Sequence, residues 1–131
     1  MHTTPKIEVS WGELFDKITI LEIKEQRLGS PEAVANVKRE LATLVAAASD
    51  FQNREPAICS LKQQLRTINE TLWDVEDEIR AKEAVQEFDT HFIELARLIY
   101  TQNDKRSEIK KRINVLTRSE LIEEKQYVSY R

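Results

Sequence analysis

Glycine and proline are scarce in this sequence, which holds 2 Gly and 3 Pro among its 131 residues. Tight turns, phosphate-binding loops and the many short connections of a β-sandwich depend on these two residue types. Their scarcity therefore excludes folds that are built from many short elements. It favours a chain of few, long helices that are joined by short connections.

Cysteine and long apolar runs are almost absent as well. Cys59 is the one cysteine, so no disulfide can form within the chain, which is typical of a reducing compartment. The first ten residues, MHTTPKIEVS, lack the apolar core of a signal peptide, and the longest apolar run, LVAAA at 44–48, is far shorter than a membrane span. We therefore expect a cytoplasmic protein that does not contact a membrane.

An excess of positive charge is also missing. The formal net charge is −3 and the sequence pI is about 5.5, so the surface as a whole does not attract a nucleic acid. The basic stretch KKR at 110–112 lies near the end of a predicted helix, where the helix dipole favours cations. We expect no nucleic-acid partner.

The residues that are present indicate a helical protein. Hydrophobic residues make up 40% and charged residues 33% of the chain, a mixture that suits helices with long solvated faces. The length is typical of one domain. We predict an all-α fold, an antiparallel bundle of four long helices that forms a single domain over residues 1–131. The predicted helices span about 11–28, 31–48, 56–85 and 90–116.

Capping residues set the boundaries of the first two helices. Ser10 precedes the first helix and Glu13 stands three residues later, which is the pattern of a capping box. Gly29 is expected to end this helix as the C′ residue, and Pro31 to begin the next helix. The segment SDFQNREP at 49–56 is predicted to be the second connection.

Apolar residues recur at steps of three and four along each helix, which is the spacing of helices that pack as in a coiled coil. An arginine in such a line needs a charged partner, because its desolvation costs several kcal/mol. Arg106 is therefore expected to pair with at least one of Glu22, Glu25 and Glu76. The polar residues that interrupt the apolar lines or lie beside them are Glu22, Glu25, Glu76, Gln102, Asn103 and Arg106.

This polar layer has two interpretations. In the first, it only sets the register in which the helices pair, as polar residues at core positions of coiled coils do. In the second, it lines a cleft that binds a ligand, since binding sites occur between the helices of bundles. The candidate ligand-binding residues of the second interpretation are Arg106, Asn103, Glu22, Glu25 and Glu76.

Patterns for metal binding and nucleophilic catalysis are weak. A di-iron bundle needs Glu-x-x-His on two helices, whereas this sequence has only HFIE at 91–94, in the reversed order. His91 is expected at the surface or at the start of a helix. Mg²⁺ could bind carboxylates of the polar layer, because it prefers hard oxygen ligands. We assign no catalytic residue, metal ligand or cofactor, and an enzymatic role is the less favoured alternative.

The first helix has apolar residues on two faces, because Ile20 and Ile23 lie away from its main apolar line. Such a helix is central in a bundle or lies at an oligomer interface. Since large exposed apolar surfaces are uncommon on monomers, we expect a homodimer. The alternative is that the two chain ends cover this face. The segments KIEV at 6–9 and YVSY at 127–130 alternate as short strands do, so these ends could pair.

Four stretches, IEVSWGELFDKITILEIK, LWDVEDEIR, FIELARLIYTQNDKRSEIKKRIN and EEKQY, resemble a family of small helical proteins of unknown function from bacteria and their viruses. The genes of that family often lie near those of glycosyltransferases and of cell-surface polysaccharide synthesis. The resemblance therefore implies an accessory role in that process, and no catalytic residue is established for the family. Its polar motif positions, as they stand here, include Glu13, Asp16, Lys17, Thr19, Asn103, Asp104 and Arg106.

Two functional hypotheses remain open. The first is a cytoplasmic, dimeric interaction or accessory protein with a protein partner in surface-polysaccharide synthesis. The second is a small all-α enzyme or ligand binder, which uses Arg106, Asn103 and the glutamates for an anionic small molecule or for Mg²⁺-dependent nucleotide chemistry. Binding of nucleotides, sugar nucleotides or Mg²⁺ would favour the second, and a melting temperature that depends on protein concentration would favour the first.

Overall fold

The computed structural model describes residues 3–119, 124, 126 and 128–130, without the side chains of residues 50 and 52–54. It confirms the predicted all-α fold, because helix–helix contacts join its four helices into a bundle. Within these residues, no helix is both long enough and apolar enough to cross a bilayer. The helices are α1 (Trp11–Arg27), α2 (Pro31–Arg54), α3 (Pro56–Ala84) and α4 (Thr90–Thr117).

The chain ends do not pair as strands in the described residues, which include 6–9 and 128–130; residue 127 lies outside them. At the carboxyl end, the ring of Tyr130 packs edge to face on Tyr100 of α4, with 5.1 Å between the ring centroids. The Tyr130 hydroxyl donates a hydrogen bond to the carboxylate of Asp104. This end of the chain therefore lies against α4.

α2 is longer than predicted and continues to Arg54, so the expected connection at 49–56 is wrong. Residues 49–54 contain neither Gly nor Pro, and nothing in them ends a helix. A residue before proline avoids the α conformation. Glu55, which precedes Pro56, is accordingly extended, with φ −128° and ψ 95°. This one residue separates α2 from α3.

α1 lies at the centre of the bundle. It packs against α2, α3 and α4, whereas α2 and α4 do not contact each other in the described part of the chain. Lys17 pairs with Glu40 at 3.0 Å and Trp11 packs on Phe51, so α1 and α2 run antiparallel. The central position explains why α1 is apolar on two faces, and Ile23 on its second face is 1% exposed.

The hydrophobic core forms around α1, with contributions from all four helices. Phe15 of α1, Ile58 and Leu65 of α3 and Ile113 of α4 are fully buried. Burial of each such side chain contributes about 1.5–3 kcal/mol to folding. The buried residues of the core are Phe15, Ile18, Ala48, Ile58, Leu65, Ile68, Leu72, Ile109 and Ile113.

The amino end of α1 is capped partly by α4. Ser10 is the N-cap, as predicted, and its hydroxyl accepts a hydrogen bond from the Glu13 N–H at 3.1 Å. The Gly12 N–H donates to the side-chain oxygen of Asn114 at 2.7 Å, in the last turns of α4. The backbone donors that a helix leaves unpaired at its start are thus satisfied both by the adjacent Ser10 and by Asn114 of the distant helix α4.

The second half of the predicted capping box is wrong. The Glu13 carboxylate accepts a hydrogen bond from Lys110 Nζ at 2.7 Å. The Lys110 side chain is 6% exposed and that of Glu13 is 42% exposed, so this ion pair joins α1 to α4 at the edge of the protein surface. The Trp11 N–H, which also needs an acceptor, donates to the Ser119 hydroxyl at 3.3 Å.

The carboxyl end of α1 also differs from the prediction. The helix ends at Arg27, its C-cap residue Leu28 is extended with φ −73° and ψ 136°, and neither glycine has a positive φ. Gly29 therefore does not act as a left-handed C′ residue. The start of α2 is as predicted: the Ser30 hydroxyl accepts from the Ala33 N–H at 3.3 Å, and Pro31 begins the helix.

Gly12 faces α4 at short range, and its replacement tests this contact. A Cβ at this position would lie 2.5 Å from the carbonyl oxygen of Lys110 and 2.9 Å from the side-chain oxygen of Asn114. Because a backbone carbonyl cannot move without displacing its helix, we expect Gly12→Ala to lower the free energy of unfolding by about 1–3 kcal/mol. Urea unfolding followed by circular dichroism measures this change.

Gly29→Ala is the matched control for Gly12→Ala. Nothing lies within 4 Å of a Cβ added at Gly29, and its backbone is not in the left-handed region. We expect its free energy of unfolding to stay close to that of the wild type or to rise slightly. Equal losses of stability in the two variants would contradict the close approach of α1 and α4.

α3 and α4 form a hairpin whose tip is fixed by ion pairs. Lys82 lies 3.0 Å from the carboxylates of Glu87 and Asp89. Asp89 also caps α4, because its side chain accepts from the Phe92 N–H at 2.9 Å. Gln86 has a φ of 54°, in the left-handed region, which turns the chain between the two helices.

His91 is exposed at the start of α4, as predicted. Its Nε2 lies 2.7 Å from Glu78 and its Nδ1 lies 3.6 Å from Glu94. The hydrogen bond with Glu78 raises the pKa of His91 above its usual value, against the smaller opposing effects of desolvation and of the Lys82 charge. The folded chain therefore favours the protonated imidazole.

This pKa shift makes stability depend on pH. His91 contributes fully to the free energy of unfolding below about pH 6.5, its ordinary pKa. This contribution is lost as the pH rises through the raised pKa of His91 in the folded state. We expect the difference in melting temperature between the wild type and His91→Gln to be larger at about pH 5.5 than at about pH 8.5. An equal difference at both pH values, or an unshifted pKa in an NMR titration of His91, would contradict this.

Candidate functional site

Three polar side chains are buried where α1 meets α3. Asp16 is 2%, Thr19 is 0% and Asn69 is 5% exposed. The Nδ2 of Asn69 donates to Asp16 Oδ1 and to Thr19 Oγ1, both at 2.9 Å, and the Thr19 hydroxyl donates to the Asp16 carbonyl at 2.7 Å. Burial of these groups is tolerated because each has a hydrogen-bond partner.

Arg106 of α4 extends this network. Its Nε lies 3.5 Å from Asp16 Oδ2, and its side chain is 25% exposed. The expected pairing of Arg106 with Glu22, Glu25 or Glu76 is therefore wrong, because its partner among the described residues is Asp16. A partly buried guanidinium was expected to pair with a carboxylate. Arg106 does so, but with Asp16 and not with one of the three glutamates.

Glu22 and Glu76 pair with other cations. Glu22 lies 3.2 Å from Lys62 and 3.5 Å from Arg66, so it joins α1 to α3. Glu76 lies 3.3 Å from Arg80, one turn further along α3. The side chains of the latter pair are 43% and 80% exposed, so solvent screens their attraction.

The polar network opens into a cleft between α1, α3 and α4. Its volume is about 590 Å³, which is within the range of small-molecule binding sites. Of the candidate ligand-binding residues, Arg106, Asn103 and Glu76 line the cleft, whereas Glu22 and Glu25 do not, and the binding role of all five stays a prediction. The cleft is lined by Ile20, Ile23, Asn69, Leu72, Trp73, Glu76, Asp77, Arg80, Asn103 and Arg106.

Apolar and aromatic side chains form part of the cleft wall. Ile20 and Ile23 come from the second face of α1, and Leu72 and Trp73 come from α3. The guanidinium of Arg27 lies 5.9 Å from the centroid of the Trp73 ring, a cation–π contact that helps to hold the indole. This wall suits a planar or apolar part of a ligand.

The polar part of the cleft has groups that the described residues leave unused. Arg106 forms no hydrogen bond to a described residue, and its ion-pair partner among them is Asp16, whose Oδ2 lies 3.5 Å from Arg106 Nε. The side-chain amide of Asn103 likewise has no hydrogen-bond partner there, and Asp77 forms no ion pair. A guanidinium with free donors is suited to a carboxylate or a phosphate, which it can contact through two hydrogen bonds.

The apolar periodicity did not identify Asp16, Thr19 and Asn69 as site residues, although Asp16 and Thr19 are among the polar motif positions of the family that the sequence resembles. Asp16 and Thr19 lie on the same side of α1 as Ile20 and Ile23, at about 100° per residue. The available signal was therefore a carboxylate on the second apolar face of a helix, where its burial demands a partner. Asn69 lies beside the apolar line of α3 rather than on it, so its burial could be read only from the structure.

The carboxylates do not assemble a metal site in the described residues. No group of three or more His, Cys, Asp or Glu side chains able to hold a metal ion occurs among them. Glu76 and Asp77 are the carboxylates of the cleft lining, and Glu76 is paired with Arg80. The glutamates considered for Mg²⁺, which include Glu22 and Glu25, are not brought together.

Fold and site together define an all-α protein with a buried polar network that opens into a cleft between three helices. The chain belongs to the family of unknown function DUF6165, whose family model matches residues 5–130. No curated protein and no solved structure matches the chain. The matched range contains all four helices and every residue that lines the cleft.

Replacement of Asn69 tests the energetic importance of the network. Asn69→Ala removes the donor that Asp16 and Thr19 share, so Asp16 Oδ1 stays buried without that partner. We expect a loss of about 2–3 kcal/mol in the free energy of unfolding. The control is Gln64→Ala, an exposed position of the same helix. Chemical unfolding that finds the two variants equally stable would contradict a structural role for these hydrogen bonds.

Proposed function

We propose that this protein binds a small anionic molecule in the cleft between α1, α3 and α4, and that Arg106 contacts the anion. The position of the Arg106 guanidinium is the observation that carries this proposal. The buried carboxylate of Asp16 holds it on one side, while it forms no hydrogen bond to a described residue. An arginine that only set helix register would be expected to use its donors inside the bundle.

Other groups of the cleft define the class of ligand. The Asn103 amide can donate and accept hydrogen bonds, and the Asp77 carboxylate can accept them from hydroxyl or amino groups. Trp73, with Ile20 and Leu72, offers apolar surface to the body of the ligand. The ligand that fits best is a molecule with a phosphate or carboxylate group, a planar or apolar body and additional hydrogen-bonding groups.

Binding is better supported than a chemical reaction. The residues that line the cleft include no Ser, Cys, His or Lys that could act as a nucleophile. The cleft carboxylates, Glu76 and Asp77, have no histidine or hydroxyl side chain in the lining with which to act as an acid–base pair. The proposal therefore assigns no catalytic residue and no Mg²⁺-dependent step.

A second candidate function is that of a cytoplasmic interaction or accessory protein. Exposed apolar side chains at the tip of the α3–α4 hairpin favour it, because contiguous apolar surface marks sites of protein contact. Val85, Phe88 and Ile93 are 70%, 57% and 55% exposed. An accessory role in surface-polysaccharide synthesis stays a prediction from the family resemblance, and it is compatible with both functions, since sugar nucleotides carry phosphates.

A thermal-shift screen of the full chain tests the binding proposal. The probes are inorganic phosphate, nucleoside mono- and diphosphates, sugar nucleotides and dicarboxylates, each with and without Mg²⁺. A ligand present at 100 times its Kd stabilises the folded state by about 2.7 kcal/mol, which raises the melting temperature. We expect at least one anionic probe to raise it, and calorimetry then gives the Kd.

Arg106→Gln and Arg97→Gln form a matched pair for this experiment. Both arginines lie on α4 and both changes remove one positive charge, but Arg97 is exposed outside the cleft without an ion pair to a described residue. We expect Arg106→Gln to weaken binding of the active probe by about tenfold or more, and Arg97→Gln to leave it unchanged. Failure of every anionic probe, or equal Kd values for the two variants, would contradict the proposal.

A further inference from the structure

Apolar side chains are exposed where the α3–α4 hairpin extends beyond the end of α1 at Arg27. Val85, Phe88 and Ile93 are more than half exposed. Phe92 packs edge to face on Phe88, with 5.1 Å between the ring centroids, and Val85 and Ile93 are near neighbours of this pair in the sequence. We call Val85, Phe88, Phe92 and Ile93 the tip patch.

An apolar groove lies at the opposite end of the same hairpin. Its volume is about 450 Å³, and Val115 in its wall is 75% exposed. Two cationic side chains, Lys111 and Arg112, lie beside its apolar residues. We call it the basal groove; it is lined by Leu61, Glu108, Lys111, Arg112, Val115 and Leu116.

The tip patch and the basal groove carry opposite charges. Residues 83–94, which contain most of the tip, hold four carboxylates and neither Lys nor Arg. Of the six residues that line the groove, Lys111 and Arg112 are cationic and Glu108 is anionic, so the groove has a net positive charge. Lys111, Arg112 and Glu83 have no ion-pair partner among the described residues, whereas the other tip carboxylates contact cations of the hairpin itself.

The distance between the two surfaces permits a closed assembly. α4 has 28 residues, so its ends lie about 42 Å apart at about 1.5 Å per residue. When two copies of the hairpin lie side by side and antiparallel, the tip of each lies at the level of the groove of the other. One two-fold axis relates both contacts, so the assembly closes as a dimer. A parallel arrangement would bring like charges together and is disfavoured.

We propose that this protein forms a two-fold dimer in which the tip patch of each copy docks into the basal groove of the other. The occupant of the groove is thus a second copy of this chain. Burial of the exposed apolar side chains drives the association. The opposite charges of the two surfaces select the antiparallel arrangement and speed the encounter. This inference does not depend on ligand binding in the cleft.

Sedimentation velocity of the full chain tests the dimer. Protein concentrations from about 1 µM to about 100 µM cover weak and moderate affinities. We expect a dimer fraction that rises with concentration. The tip variant carries Glu83→Lys and Glu94→Lys, and the groove variant carries Lys111→Glu and Arg112→Glu. Each variant alone places like charges across both contacts, so we expect its dimer to dissociate with a Kd about tenfold higher or more.

An equimolar mixture of the two variants gives the sharpest result. In a mixed dimer, both contacts again join opposite charges, so we expect the mixture to dimerise when neither variant does so alone. The control variant carries Lys38→Glu and Arg39→Glu, the same change of charge on exposed positions of α2. We expect it to dimerise as the wild type does. Circular dichroism verifies that each variant is folded.

Several outcomes would overturn the dimer proposal. One is a wild-type chain that stays monomeric over the whole concentration range. Another is a wild-type dimer that both charge variants retain, which would place the interface elsewhere. A third is a mixture of folded variants that stays monomeric. The apolar contact has its own test: Phe88→Ser should weaken the dimer, and an unchanged Kd would exclude the tip patch from the interface.

Discussion

A buried carboxylate at the centre of the bundle is the interaction on which the rest of the structure depends. Asp16 lies on α1, the helix that contacts all the others, and a desolvated charge is tolerated only when donors surround it. Asn69 of α3 donates to one of its oxygens, and Arg106 of α4 approaches the other. One side chain thereby joins three helices, and it also holds the guanidinium at the edge of the cleft.

The helices could largely be predicted from the sequence because their signals are local. The Ser10 cap, the Pro31 start and the steps of three and four depend on neighbouring residues alone. The end of α2 was predicted too early, since SDFQNR has the polar composition of a connection. Composition does not end a helix, however, and α2 continues until Pro56 forces the residue before it out of the helical conformation.

The candidate site could be predicted only in part. Arg106 and Asn103 interrupt an apolar line, which is a local pattern, and both reach the cleft. The partner of Arg106 could not be read from periodicity, because it lies on the second buried face of α1. The crossing of α1 and α4, which are far apart in sequence, decides which of several carboxylates contacts α4. Glu22, six residues further along α1 than Asp16, contacts cations of α3 instead.

The capping of α1 by α4 has a consequence for how the chain folds as it is made. The Gly12 N–H and the Asn114 side chain that accepts its hydrogen bond are 102 residues apart. On a ribosome, α1 leaves the exit tunnel 102 residues ahead of its acceptor. α2 and α3 can pack on α1 before α4 is made, but the side of α1 that contacts α4 stays uncovered until then, so this bundle is complete only after translation of α4.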